Sequence, residues 1–167
     1  LSVANSPRIF NGAPQAADIL SSVDGTISNV LYNGSPTVPT NAGSYNVTAD
    51  FTPVDTVNYQ TLVGATAGTL VIQKAATTTA VVCGAGPFTY NGTAFTPCTA
   101  SVTGPLGLSQ LLTVVYTNNI NAGTASASAS FAGSTNYLAS NNTTTFTINK
   151  ANATLLVTNS PVAYDGT

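Results

Sequence analysis

The sequence contains no histidine, no glutamate and no methionine, and its 167 residues include only three basic and five acidic side chains. General acid–base catalysis draws mainly on His, Glu, Asp, Lys and Tyr. With two of these missing and no nucleophile elbow or phosphate loop present, the chain does not read as an enzyme and calls for no cofactor. Three cations (Arg8, Lys74 and Lys150) cannot form the basic stripe that nucleic acid requires. No run of about 18 apolar residues exists, so the segment holds no membrane-spanning helix. Charged residues are 5% of the chain, against roughly 25% in an ordinary soluble domain. The surface must therefore be built from Ser, Thr, Asn and Gly, hydrophilic but without a strong electrostatic field. Such a composition suits disorder as well as folding. The regular return of Tyr, Phe, Val, Leu and Ile favours folding.

What the chain does have is repetition. Ser6-Pro7-Arg8-Ile9-Phe10-Asn11-Gly12 returns as Gly86-Pro87-Phe88-Thr89-Tyr90-Asn91-Gly92, and again as Ser160-Pro161-Val162-Ala163-Tyr164-Asp165-Gly166. Asn41-Ala42-Gly43-Ser44 matches Asn121-Ala122-Gly123-Thr124, Asn58-Tyr59 matches Asn136-Tyr137, and Ile72-Gln73-Lys74-Ala75 matches Ile148-Asn149-Lys150-Ala151. A period of this length denotes tandem small domains rather than one active-site scaffold. The expected division is a first unit over 1–75 with an incomplete first strand, a second over 76–151, and the start of a third over 152–167. The register of the two ends reads as a window on a longer array, with any targeting signal outside it.

Helix formers are scarce and β-branched residues plentiful. Alternation places Tyr45, Val47, Ala49 and Phe51 on one face of a strand, and 69–72 and 145–148 behave alike. The apolar run 111–116 reads as a central strand. Turn signals stand at Asp24-Gly25, Asn33-Gly34, Asn91-Gly92 and Asp165-Gly166. The expected fold is all-β, as tandem Ig-like β-sandwich repeats. The one helix candidate, 14–20, corresponds to strand-like 94–100 and is read as strand; a β-grasp-like unit with one short helix is the alternative fold. Strand-like sequence resumes directly after Lys74-Ala75 and after Lys150-Ala151, with no Gly/Ser linker, which favours an extended rod over flexible beads.

Candidate sites each have a plainer reading. Cys83 and Cys98 suit a disulfide tying neighbouring strands, worth about 3 kcal/mol for a loop of that size. Free buried thiols are the alternative, whereas two cysteines without histidine cannot complete a zinc site. Phe10, Tyr90 and Tyr164 precede turns and read either as plugs at the end of the sandwich or as stacking faces for surface glycans. Asp50 and Asp55 are close enough in sequence to share a cation, but solvated turn residues is the plainer reading. Lys74 and Lys150 read as linker-facing lysines, with a lysine–asparagine isopeptide crosslink as the alternative. Asn33, Asn46, Asn91, Asn141, Asn142 and Asn152 begin N-glycosylation triplets at a frequency near chance.

Tyr32-Asn33-Gly34-Ser35, Pro39-Thr40-Asn41-Ala42-Gly43-Ser44-Tyr45-Asn46-Val47, Asn58-Tyr59 and Gly68-Thr69-Leu70-Val71-Ile72-Gln73-Lys74-Ala75 resemble the MBG-type repeat of bacterial surface proteins. The second unit resembles a related bacterial Ig-like repeat through Tyr90-Asn91-Gly92-Thr93, 97–104, 121–128 and Phe146-Thr147-Ile148-Asn149-Lys150-Ala151. The resemblance implies a large secreted or cell-surface protein in which tandem β-domains form stalks, adhesins or fibres. The expected role is a stiff spacer or assembly unit, extracellular or at the cell surface. A glycan-binding module and a subunit of a polymeric filament are the alternatives. The expected partners are neighbouring repeats of the same or identical chains, and surface glycans.

Overall fold

The structure is a computed structural model that describes residues 1–156, 164 and 166. Among the described residues thirteen strands run in order. They are β1 (Ser2–Val3), β2 (Arg8–Ile9), β3 (Ile19–Leu20), β4 (Gly25–Tyr32), β5 (Gly43–Pro53), β6 (Leu62–Gln73), β7 (Thr78–Cys83), β8 (Phe88–Thr89), β9 (Cys98–Thr103), β10 (Ser109–Leu112), β11 (Val115–Thr117), β12 (Gly123–Phe131) and β13 (Ser140–Asn149). There is no α-helix among the described residues; one 3-10 turn spans Pro105–Gly107. Residues 14–18 run extended into β3, so the β-grasp-like helix does not form.

No sheet mixes strands from β1–β6 with strands from β7–β13. The first group makes the sheets β1-β3 and β2-β6-β5-β4, and the second makes β10-β9-β7 and β11-β12-β13-β8. In each group a short strand (β2 or β8) pairs parallel with the last strand (β6 or β13), while the neighbours pair antiparallel. The second core lies between its two sheets: Val81, Cys98 and Ala100 face Ala125, Ala127, Ala129, Phe146 and Ile148. The first core gathers Phe10, Tyr32, Val47, Ala67, Leu70, Ile72 and Ala75, with Val3 and Ile19 packed against it. These are β-sandwiches.

Local sequence explains the layering. In β12, Ala125, Ala127 and Ala129 are buried while serines occupy the alternate positions, so one face is apolar and the other wet. Its small inward side chains pair with larger ones: Ala125 lies opposite Phe146 in β13. In β5 the expected alternation holds, with Val47, Ala49 and Phe51 buried. Asn33 and Gly34 have φ of 50° and 81°, and Tyr32 and Ser35 exchange backbone hydrogen bonds of 2.7 and 3.0 Å. This is the mirror-image turn that Asn-Gly favours in hairpins. Asp24-Gly25 is a bend leading into β4.

The run 111–116 departs from expectation. It is not a central strand but two edge strands, β10 and β11, in different sheets. The chain crosses from one sheet to the other at Thr113-Val114, so Leu111 and Val115 are 82% and 62% exposed despite their apolar character. Beyond β13, residues 151–156 carry no strand and are exposed. In the two preceding repeats the corresponding segment pairs with β3 or β9. Val157, Pro161 and Asp165 of the third repeat lie outside the described residues.

Candidate functional site

The loop between β12 and β13 leaves the second strand group and seats itself on the first. Gly133 begins it at φ +83°, where an added Cβ would lie 2.8 Å from the Tyr137 carbonyl oxygen. Only glycine suits both the left-handed backbone and that approach. The Ser134 N–H then donates to the Tyr137 carbonyl (3.0 Å), and the Asn136 N–H to Ser134 Oγ (3.3 Å), closing a tight turn that projects Asn136 and Tyr137.

Both residues reach the first core. The Ala75 N–H donates to the Asn136 carbonyl and the Leu138 N–H donates to the Ala75 carbonyl, each at 2.8 Å, so Tyr137 forms a parallel bridge to Ala75. Asn136 Oδ1 accepts from the Ala42 N–H at 2.8 Å, while its amide donates to Asn41 Oδ1 at 3.0 Å. Lys74 Nζ donates to the Ser134 carbonyl at 2.7 Å. The Tyr137 ring meets Phe10 edge-on, with centroids 5.7 Å apart, and its hydroxyl donates to the Pro105 carbonyl at 2.9 Å. Across the same seam the Leu106 side chain closes on Gly12. Each neutral hydrogen bond of this kind contributes about 1 kcal/mol and the aromatic pair about the same. The seam therefore passes its contacts through backbone as well as side chains.

The seam uses the landmarks by which the repeats recognise each other in sequence: Asn41-Ala42, Lys74-Ala75 and Asn136-Tyr137. Sequence reasoning took these as marks of periodicity and missed that they touch. The clue is that Asn-Tyr and Lys-Ala recur at matching positions in both units.

The other expected sites fall as follows. Phe10 is buried beneath Tyr137 and is a plug. Tyr90 is 41% exposed and Tyr164 is 92% exposed. Cys83 and Cys98 stand opposite each other in β7 and β9 and form a disulfide. Beside it the Tyr116 hydroxyl accepts from the Cys98 N–H (2.8 Å) and donates to the Cys98 carbonyl (2.9 Å). Tyr32 has a similar role in the first group, accepting from the Ala17 N–H at 2.9 Å. Asp50 and Asp55 do not converge on one point. Asp50 accepts from the Gly64 N–H and the Asn29 amide. Asp55 accepts from the Val57 and Asn58 N–H groups and the Asn58 amide, which together hold its carboxyl below the usual aspartate range. Asn33, Asn46, Asn91, Asn141, Asn142 and Asn152 are all exposed. Lys74 is bound into the seam instead of facing a linker.

Compared with curated proteins and with solved structures, the chain has no match. Residues 1–77 match the MBG domain, a structural module found in extracellular proteins and not a known enzyme family. The matched segment ends just beyond Lys74-Ala75, the residues that receive the Asn136-Tyr137 loop.

Proposed function

We propose that this chain is a stiff structural segment of a long extracellular bacterial fibre, stalk or adhesin, in which successive β-units are locked end to end to hold distance. The observation that carries the reading is the backbone bridge between Ala75 and Tyr137, reinforced by Asn136, Lys74 and the Phe10–Tyr137 pair. Only four residues, Lys74 to Thr77, separate β6 from β7. One of them, Ala75, is buried and doubly hydrogen-bonded, so little chain remains to swivel. The family supports the extracellular setting, and the disulfide suits an oxidising compartment.

The surface suits a spacer. Its polar, nearly uncharged face binds neighbours weakly and resists salt-dependent collapse, because few charges are available to be screened. Small-angle scattering of the chain tests the role. An elongated particle whose dimensions do not change with salt is expected; a compact or freely bending particle overturns the reading.

A further inference from the structure

We propose that Asn91 is a site of spontaneous modification: its side-chain amide is lost as ammonia and replaced by a carboxylate, with Thr93 promoting the step. The inference goes beyond the structural role proposed above and does not depend on it.

Three asparagines of the chain precede a glycine: Asn11, Asn33 and Asn91. A following glycine leaves the asparagine side chain open to attack by the next backbone nitrogen, because no Cβ stands in the way. The step balances with water as its co-reactant. The Gly92 nitrogen bonds to the Asn91 side-chain carbonyl carbon and passes its proton to solvent. The bond from that carbon to the amide nitrogen breaks, and the nitrogen leaves with a solvent proton as ammonia. Water then opens the cyclic imide at either carbonyl, giving aspartate or isoaspartate. Nothing is oxidised or reduced.

The fold sets the three sites apart. Negative charge develops on the side-chain oxygen as the nitrogen attacks, so donors already aimed at that oxygen lower the barrier. Asn91 Oδ1 accepts from the Thr93 N–H at 3.0 Å and from the Thr93 hydroxyl at 2.8 Å. Asn91, Gly92 and Thr93 are exposed, and a Cβ added at Gly92 would meet nothing within 4 Å. The turn therefore has room to close into a ring and to admit water. The same two donors hold the carboxylate product, more strongly because it is charged.

At Asn11, Oδ1 accepts from the Ala13 N–H at 3.0 Å, but Leu106 closes over the next residue: a Cβ added at Gly12 would lie 2.7 Å from its Cδ1. Asn33 is held at both ends of its amide. Its Oδ1 accepts from the Asn46 N–H at 2.8 Å, and its Nδ2 donates to the Ser44 carbonyl at 3.4 Å. The leaving nitrogen is thus bound to β5, and a carboxylate there would turn an oxygen toward the Ser44 carbonyl oxygen. Ser35 matches Thr93 in sequence, yet its hydroxyl accepts from the Thr37 N–H at 3.2 Å instead of donating to Asn33. Conversion at Asn91 adds a negative charge to a chain of net charge −2. The isoaspartate product also lengthens the main chain directly after Tyr90, whose N–H donates to the Asn149 carbonyl at 2.9 Å, and so loosens β8 from β13.

Peptide mapping by mass spectrometry tests this on the full chain held in warm neutral buffer made with heavy-oxygen water. Acid carrying the heavy oxygen should appear at Asn91 at least about tenfold faster than at Asn11 or Asn33. Thr93→Val, at an exposed position, keeps the N–H and removes the hydroxyl. It should slow Asn91 about tenfold, less than loss of a donor in a buried site because water competes, and leave Asn33 unchanged. In denaturant the three rates should converge. Equal rates at the three sites of the folded chain, an unchanged rate at Asn91 in the variant, or a preference for Asn91 that survives denaturant would each overturn the proposal.

Discussion

Tyr137, from the second group of strands, closes the end of the first group's core: its ring stands edge-on to Phe10 at 5.7 Å and 80°. Phe10 is consequently buried although it precedes an exposed turn. Tyr137→Ala should uncover Phe10 and delete both the aromatic pair and the hydroxyl bond to Pro105. The expected cost is about 2 kcal/mol, felt by the first core although the mutation lies in the second group. Thermal unfolding followed by tyrosine and backbone signals checks it; unchanged stability of the first core would count against the joint.

Asn136 joins Asn41 and Ala42 through its side chain alone. Asn136→Ala should leave the backbone bridge to Ala75 in place while removing two hydrogen bonds of about 1 kcal/mol each. Hydrogen exchange at the Ala42 N–H should accelerate by at least about tenfold, with little change at Leu70 or Ile148 deep in the two cores. Uniform acceleration across the chain would point to global destabilisation instead.

The disulfide acts on one core only. Reducing Cys83–Cys98, or replacing both residues by serine, releases a loop with a sequence separation of 15 and should cost the second core about 3 kcal/mol. The first core, which shares no sheet with these cysteines, should lose far less. Denaturant unfolding in the presence and absence of reductant measures the difference.

Asp55 gives a pH signature at the β5–β6 loop. Hydrogen bonds from Asn58 and Val57 favour its charged form and depress its carboxyl. A group with a lowered folded-state pKa contributes fully above its unfolded value and loses that contribution as pH falls through the folded one. The loop 54–61 should therefore stay ordered through mildly acidic pH and loosen only in strongly acid solution. The Asn58 side-chain amide resonance should titrate with the same midpoint. Loosening near neutrality would contradict the assignment.

Much of the fold was legible because it rests on local pattern. Alternation in β5 and β13, the Asn33-Gly34 turn and the cysteine pair each follow from a few adjacent residues. The run 111–116 was not, because an apolar stretch gives no sign that the chain changes sheets in its middle. Its exposed Leu111 and Val115 reflect topology, not composition. The seam was half legible. Periodicity exposed Asn58-Tyr59, Asn136-Tyr137, Lys74 and Lys150 as equivalent pairs, but which repeat touches which depends on contacts some 60 to 95 residues apart in sequence. Those contacts join residues of different strand groups, and no spacing rule within one unit encodes that. Phe10, read either as a plug or as a stacking face for glycans, lies buried against Tyr137.

The central claim is that the two sandwiches move as one body. Residual dipolar couplings measured for both strand groups of the same sample address it without reference to any ligand or partner. A single alignment tensor, shared by Val47, Leu70 and Ile72 in one core and Ala125, Ala127 and Ile148 in the other, is the expected result. Two tensors of different magnitude would mean that the units swivel independently about Lys74 to Thr77, and the stiff-joint account would be wrong.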